Sequence, residues 1–171
     1  MPDATLPAAR ARRARLERRY RPANLRLLFI GEAPPVSGKF FYRRDSGLYR
    51  AIRDSFCAID PSMTDSNFLD AFKSAGCYLI DASPHPVDQL DPPSRRAACL
   101  ASEAWLSRTI QTLRPPAIVT VVRSIRQNVE RAASSAGWNG RLIDLPYPGR
   151  WKHHRDVFVE NLVLLLKPTL L

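Results

Sequence analysis

The chain has 171 residues, is 45% hydrophobic, and carries 26 lysines and arginines against 16 acidic residues, a formal net charge of +10. That length holds one globular domain with a sizeable core, and neither an apolar run near the roughly 20 residues of a membrane helix nor a signal-peptide core after Met1 is present. A soluble, intracellular protein is therefore expected, and the basic excess, almost all arginine, points to phosphate-bearing partners, DNA or RNA.

Residues 8–20 are rich in Ala and Arg and predict a basic surface helix. Residues 25–30 (LRLLFI) form a short apolar run ended by Gly31 and by Pro34 and Pro35, the pattern of a buried parallel strand. Three more strands are predicted over 77–80, 117–122 and 141–145. Between them the pattern is helical over 46–58, 65–74, 94–113 and 124–136, and a last helix is predicted over 153–166. Ser94 and Ser124 are candidate N-caps and Gly137 a candidate C-terminal stop. Strands alternating with helices imply an α/β fold: a three-layer α/β/α arrangement around a central, mostly parallel four-stranded sheet. Ligands bind such sheets beyond the carboxyl ends of the strands, and three of the four strands end in proline-containing loops, GEAPP, DASPHP and LPYPGRWKHH. Cys57, Cys77 and Cys99 are scattered with no CxxC pair, so neither a disulfide framework nor a zinc or iron–sulfur site is expected.

Chemistry concentrates in those loops. Gly31 permits a sharp turn and Pro34 and Pro35 stiffen the backbone after it, holding Glu32 at the ligand end of the sheet. A carboxylate there can orient water and stabilise a developing oxocarbenium ion. Residues 37–42 (SGKFFY) come next, and Phe41 is a candidate flat face for a base drawn from a helix. Asp81 ends the second strand, and Ser83 and His85 lie in the loop after it. The last loop, with Arg150, Trp151, Lys152, His153, His154 and Arg155, interleaves cations with an aromatic ring, as suits phosphate contacts and a wedge.

GEAPP followed by SGKFFYRRDSGLYRAI resembles the first motif of the family 4 type uracil-DNA glycosylases, with GEAPG, G-R-P-F-V-G and A-G-x-L-L. Leu79-Ile80-Asp81 and Pro92-Pro93-Ser94-Arg95 are similar to that family's strand ending in Asn and its later R-P-P-x-N-R, and Leu145 to Trp151 stands where the family has H-P-S. The resemblance implies a DNA glycosylase hydrolysing the N-glycosidic bond of uracil, or of hydroxymethyluracil or xanthine, in base excision repair. It gives Glu32 the place of the water-positioning acid and Phe41 that of the stacking ring. Tyr147 takes the place of the donor to the departing base, and Gly31, Ala33, Pro34, Asp81 and Ser83 surround the substrate; independently of the resemblance, the loop histidines His153 and His85 are candidate donors or phosphate contacts. Arg150, Trp151, Lys152 and Arg155 take the DNA-binding positions. Three departures stand out, the first being Tyr147 where the family has the His that donates to the departing base's oxygen. The cluster cysteines are missing, so no cofactor or metal is implied. Asp81 replaces the Asn that pairs with uracil, and an ionised carboxylate only accepts; either Asp81 is protonated, another group donates, or the preferred base differs. A local reading, in which Asp81 caps its own loop, also stands.

The domain expectation is a basic N-terminal helix over 1–24 packed on a glycosylase-like domain over 25–171. The expected protein is a soluble, cytoplasmic, nucleoid-associated monomer whose partner is single- or double-stranded DNA carrying uracil or another damaged base. Two alternatives remain: a non-catalytic binder of damaged or abasic DNA on the same fold, and an α/β enzyme of free nucleosides or nucleotides.

Overall fold

The computed structural model describes residues 5–170. Four strands, β1 (Leu27–Gly31), β2 (Cys77–Asp81), β3 (Ala117–Thr120) and β4 (Arg141–Asp144), form one sheet in the order β2-β1-β3-β4. Every neighbouring pair is parallel. All residues of β1 and β3 are buried, which is why LLFIG and AIVT read as unbroken apolar runs and not as alternating ones. Around the sheet lie α1 (Thr5–Arg19), α2 (Gly47–Ile59), α3 (Phe68–Ser74), α4 (Pro92–Ala101), α5 (Glu103–Leu113), α6 (Arg126–Ser135) and α7 (Lys152–Leu170). Helix α2 packs on α7 and α5 on α6, completing three layers, α/β/α. No described helix is long and apolar enough to cross a membrane.

The chain passes from β1 to the edge strand β2 and then crosses to β3 on the other side of β1. The order therefore reverses between β1 and β3, the place where sheets of this class open a crevice at their carboxyl ends. An aromatic cluster fills the core next to that crevice: Phe29, Phe41, Phe56, Phe68 and Phe72 lie with ring centroids 5.2 to 6.3 Å apart. Tyr42 uses its hydroxyl on the outer edge of β2, accepting from the Leu79 N–H at 2.8 Å and donating to the Leu79 carbonyl at 2.9 Å.

Two predicted helices differ in detail. The single helix over 94–113 is two, α4 and α5, parted at Ser102, whose hydroxyl bonds the Ala98 carbonyl at 2.9 Å and whose N–H is shared between the Ala98 and Cys99 carbonyls. Back-bonding of this kind competes with the helical ladder. The N-cap of α4 is Asp91, accepting from the Ser94 N–H at 3.1 Å, with Pro92 and Pro93 in the first turn; Ser94 is the donor's residue, not the cap. Ser124 likewise caps nothing. It lies in a one-turn 3-10 helix, Arg123–Ile125, ahead of α6. Gly137 does end α6, at φ +64°, and Ser46 caps α2 through the Tyr49 N–H. Residues 1–4 of the expected N-terminal segment lie outside the described residues.

Candidate active site

The loops beyond the strands are pinned by continuing the sheet's own pairing. Ala82 N–H donates to the Gly31 carbonyl and Ser83 N–H to that of Glu32, both at 2.8 Å. Leu145 N–H reaches the Thr120 carbonyl at 2.8 Å and holds the last loop in the same way. Across the mouth, the Val36 N–H donates to Asp88, at 3.1 Å to Oδ1. The Phe40 N–H donates to Asp45 at 2.7 Å, fixing the aromatic loop.

Between these loops lies a cavity of about 440 Å³ lined by Gly31, Glu32, Ala33, Pro34, Pro35, Lys39, Phe40, Phe41, Leu79, Asp81, Asp88, Arg95 and Tyr147, among others. Its size lies in the ordinary range for small-ligand sites. Phe41 supplies an apolar wall and is itself locked edge-on against Tyr42, with ring centroids 5.0 Å apart and planes at 89°. The half-buried Asp81 lies opposite Gly31 in the strand register. A Cβ at Gly31 would stand 2.8 Å from Asp81 Oδ1, so glycine here leaves the carboxyl its place.

The Asp81 carboxyl has no hydrogen-bond partner among the described residues. Burial pushes its carboxyl up to about 7, the negative charge of Glu17 adds to the rise, Arg13 opposes it, and Glu32 contributes a smaller upward push. Glu17, on α1, is itself pushed up to about 7 by burial, against the lowering effects of the Tyr78 hydroxyl, Arg18 and Arg13. Below about pH 7 the carboxyl is mostly protonated, and in that form it both donates and accepts, as an amide side chain does.

Glu32 is held by a fork. Arg95 Nε donates to Oε1 at 2.9 Å and Arg95 Nη2 donates to Oε2, while the Ser124 hydroxyl reaches Oε1 at 3.5 Å. A carboxylate has about four lone-pair sites. Arg95 occupies two and Ser124 a third, leaving one directed elsewhere. Bidentate pairing fixes geometry as well as charge, so the Glu32 carboxylate is held in one orientation at the cavity wall.

The predicted residues divide into two groups. Gly31, Glu32, Ala33, Pro34, Phe41, Asp81 and Tyr147 share the cavity. Tyr147 is 52% exposed at its rim. The others stand away from it. Ser83 is buried and donates to the His85 carbonyl at 3.0 Å, organising its own turn. The histidines His85, His153 and His154 are exposed and none lines the cavity. In the last loop Trp151 is 67% exposed and Arg150 is exposed. Lys152 pairs with Asp156 within α7 at 2.7 Å, and Arg155 pairs with Asp54 of α2. Each of these cations thus has a carboxylate neighbour, Lys152 at an exposed position and Arg155 at a half-buried one. Among the described residues no cluster of three or more His, Cys, Asp or Glu side chains could hold a metal ion.

Arg95, Ser124 and Lys39 were not among the predicted site residues. Arg95 ends the Pro-Pro-Ser-Arg motif, and that was its only signal; Ser124 read as a helix cap because capping and side-chain partnering use the same residue types. Comparison with known proteins adds two findings. No curated protein matches the chain. Residues 18–166 match the family described as Uracil DNA glycosylase superfamily.

Proposed function

The chain belongs to the uracil DNA glycosylase superfamily, and on that premise we propose that it is a monofunctional glycosylase hydrolysing the N-glycosidic bond of uracil in DNA. Membership implies a hydrolase acting on DNA in repair; the base and the roles of the residues belong to the proposal. The observation that carries it is the Glu32–Arg95–Ser124 arrangement at the mouth of a cavity walled by Phe41 and Asp81.

An extruded base enters the cavity and lies against Phe41, and Asp81 in its neutral form pairs with an edge that offers one donor and one acceptor, as uracil N3–H and its neighbouring carbonyl do. As the glycosidic bond lengthens, positive charge develops on the sugar. The Glu32 carboxylate faces that charge and its remaining lone pair orients the attacking water. With Arg95 engaging both of its oxygens, Glu32 works by position and charge more than by strong basicity. Tyr147, the aromatic hydroxyl at the rim, hydrogen-bonds the departing base in preference to His153. Hydroxymethyluracil and xanthine present a donor–acceptor edge of the same kind and are expected as weaker substrates.

Glu32→Gln tests the reading. Release of uracil from a labelled oligonucleotide should fall by about 10²–10³-fold, the usual cost of losing one aimed electrostatic group. Full activity in that variant removes Glu32 from the mechanism. Binding of uracil-containing DNA by the native protein without any alkali-labile product selects the non-catalytic alternative.

A further inference from the structure

Most arginines with an ion-pair partner serve the fold: Arg53, Arg126, Arg131 and Arg155 each hold a carboxylate. Helix α1 is different. Its sequence TLPAARARRARLERR carries six arginines and one acid, and that acid, Glu17, is turned inward to accept from the Tyr78 hydroxyl at 3.3 Å. Arg12, Arg15, Arg18 and Arg19 are exposed, and none of them forms a salt bridge among the described residues. Positions 12, 15 and 19 share one helical face, where like charges three and four residues apart repel. No carboxylate among the described residues pairs with that face, although Arg19 lies over the Tyr20 ring, 5.6 Å from its centroid.

The charged face continues into a second cavity. A trough of about 340 Å³ lies between α1 and α5, lined by Arg18, Arg21 and Arg108, by Tyr78, Ile80 and Trp105, and by the single acid Glu17, which bonds Tyr78. Tyr78 and Ile80 belong to β2, one strand residue short of Asp81 in the first cavity. The trough therefore backs onto the strand that carries the base-reading wall, and its cations come from two helices far apart in sequence.

We propose that the outer face of α1 and the α1–α5 trough form a phosphate track that holds the DNA backbone flanking the nucleotide drawn into the cavity. The proposal rests on the reading of the chain as a DNA glycosylase and extends it to a surface distinct from the loop between β4 and α7. Charge complementarity selects the occupant: exposed guanidinium groups without a salt bridge among the described residues match a series of phosphates, and Trp105 offers a partly exposed ring beside them.

The test uses the full chain and undamaged labelled duplex, so that it reads the surface without catalysis. Arg15→Ala/Arg108→Ala removes one cation from each helix; Arg141→Ala/Lys167→Ala removes two exposed cations at β4 and the end of α7. For the native protein, log Kd is measured against log salt concentration. The first variant should lose about 1.8 from the magnitude of the slope, at about 0.9 per phosphate contact on duplex DNA, and the second should keep the native slope. An unchanged slope in the Arg15/Arg108 variant overturns the track, and so does an equal loss in both variants, which would mark a diffuse effect of net charge. Because this readout involves no base release, an inactive native protein with the expected slopes removes the catalytic reading and leaves the track supported.

Discussion

Replacing Asp81 by Asn exchanges the carboxyl for an amide of the same shape, and no hydrogen bond among the described residues is lost. The carboxyl is raised from its ordinary 3.8 to about 7, first by burial and then by Glu17. A carboxyl raised by folding contributes its full stability below 3.8 and loses it as pH rises through about 7. At about 1.4 kcal/mol per tenfold change in acidity constant, the interval corresponds to roughly 4 kcal/mol. Water entering the cavity screens part of it, so Asp81→Asn should be more stable than the native chain by about 2–4 kcal/mol at pH 8 and nearly equal to it at pH 4. Glu17 loses stability over a similar interval, from 4.5 to about 7, but it is present in both proteins and largely cancels. For a chain of this length, that is a rise in melting temperature of about 5–15 °C at pH 8. Thermal unfolding followed by circular dichroism at the two pH values reads it directly. A variant no more stable than the native chain at pH 8, or one stabilised equally at both pH values, refutes the desolvated-carboxyl account.

The same titration should appear in catalysis. Uracil release by the native protein is expected to decline about tenfold per pH unit above pH 7 as Asp81 ionises and loses its donor, whereas Asp81→Asn should show no such decline; parallel pH–rate profiles would count against a base-reading Asp81. Gly31→Ala places a methyl group 2.8 Å from Asp81 Oδ1, so the carboxyl must turn aside. Its melting temperature should stay close to the native value while uracil release falls at least about tenfold, the loss of a hydrogen bond of about 1.5 kcal/mol, and a fully active variant would show that the close approach does not matter. Arg95→Ala frees Glu32 from its fork and should lower kcat by about 10–100-fold, from charge-assisted bonds of roughly 1.5–3 kcal/mol. Arg95→Lys should recover only part of that loss, since a lysine cannot grip both oxygens; full recovery by lysine would assign Arg95 a role of charge alone.

Periodicity made the sheet legible because both faces of β1 and β3 are covered, so each strand had to be apolar throughout. The ligand end was legible for a related reason: Gly31, Pro34 and Pro35 announce a backbone that stops being a strand abruptly. The Glu32–Arg95 pair was not, because its members stand 63 positions apart and meet only through the crossover. Arg155 and Lys152 show carboxylate partners that local pattern does not reveal. Their spacing next to Trp151 resembles a phosphate hook, yet Asp54, 101 positions away from Arg155, and Asp156, one helical turn from Lys152, take up their charge. Local pattern cannot distinguish a cation awaiting a ligand from one already satisfied by a distant or neighbouring carboxylate. The break at Ser102 is a third case, a contest between a hydroxyl and a helical ladder that composition does not decide.

The bond pair between Tyr42 and Leu79 has a consequence for self-association. An open sheet margin is a template on which another chain can add as a further strand. At Leu79 both outward backbone groups of that margin are already taken by one phenol, so an incoming strand would find no donor or acceptor there. Because the same side chain buttresses Phe41, damage to the pocket wall and unmasking of a sticky border would arrive together, and lesions in this loop should be seen as insolubility before they are seen as slow turnover.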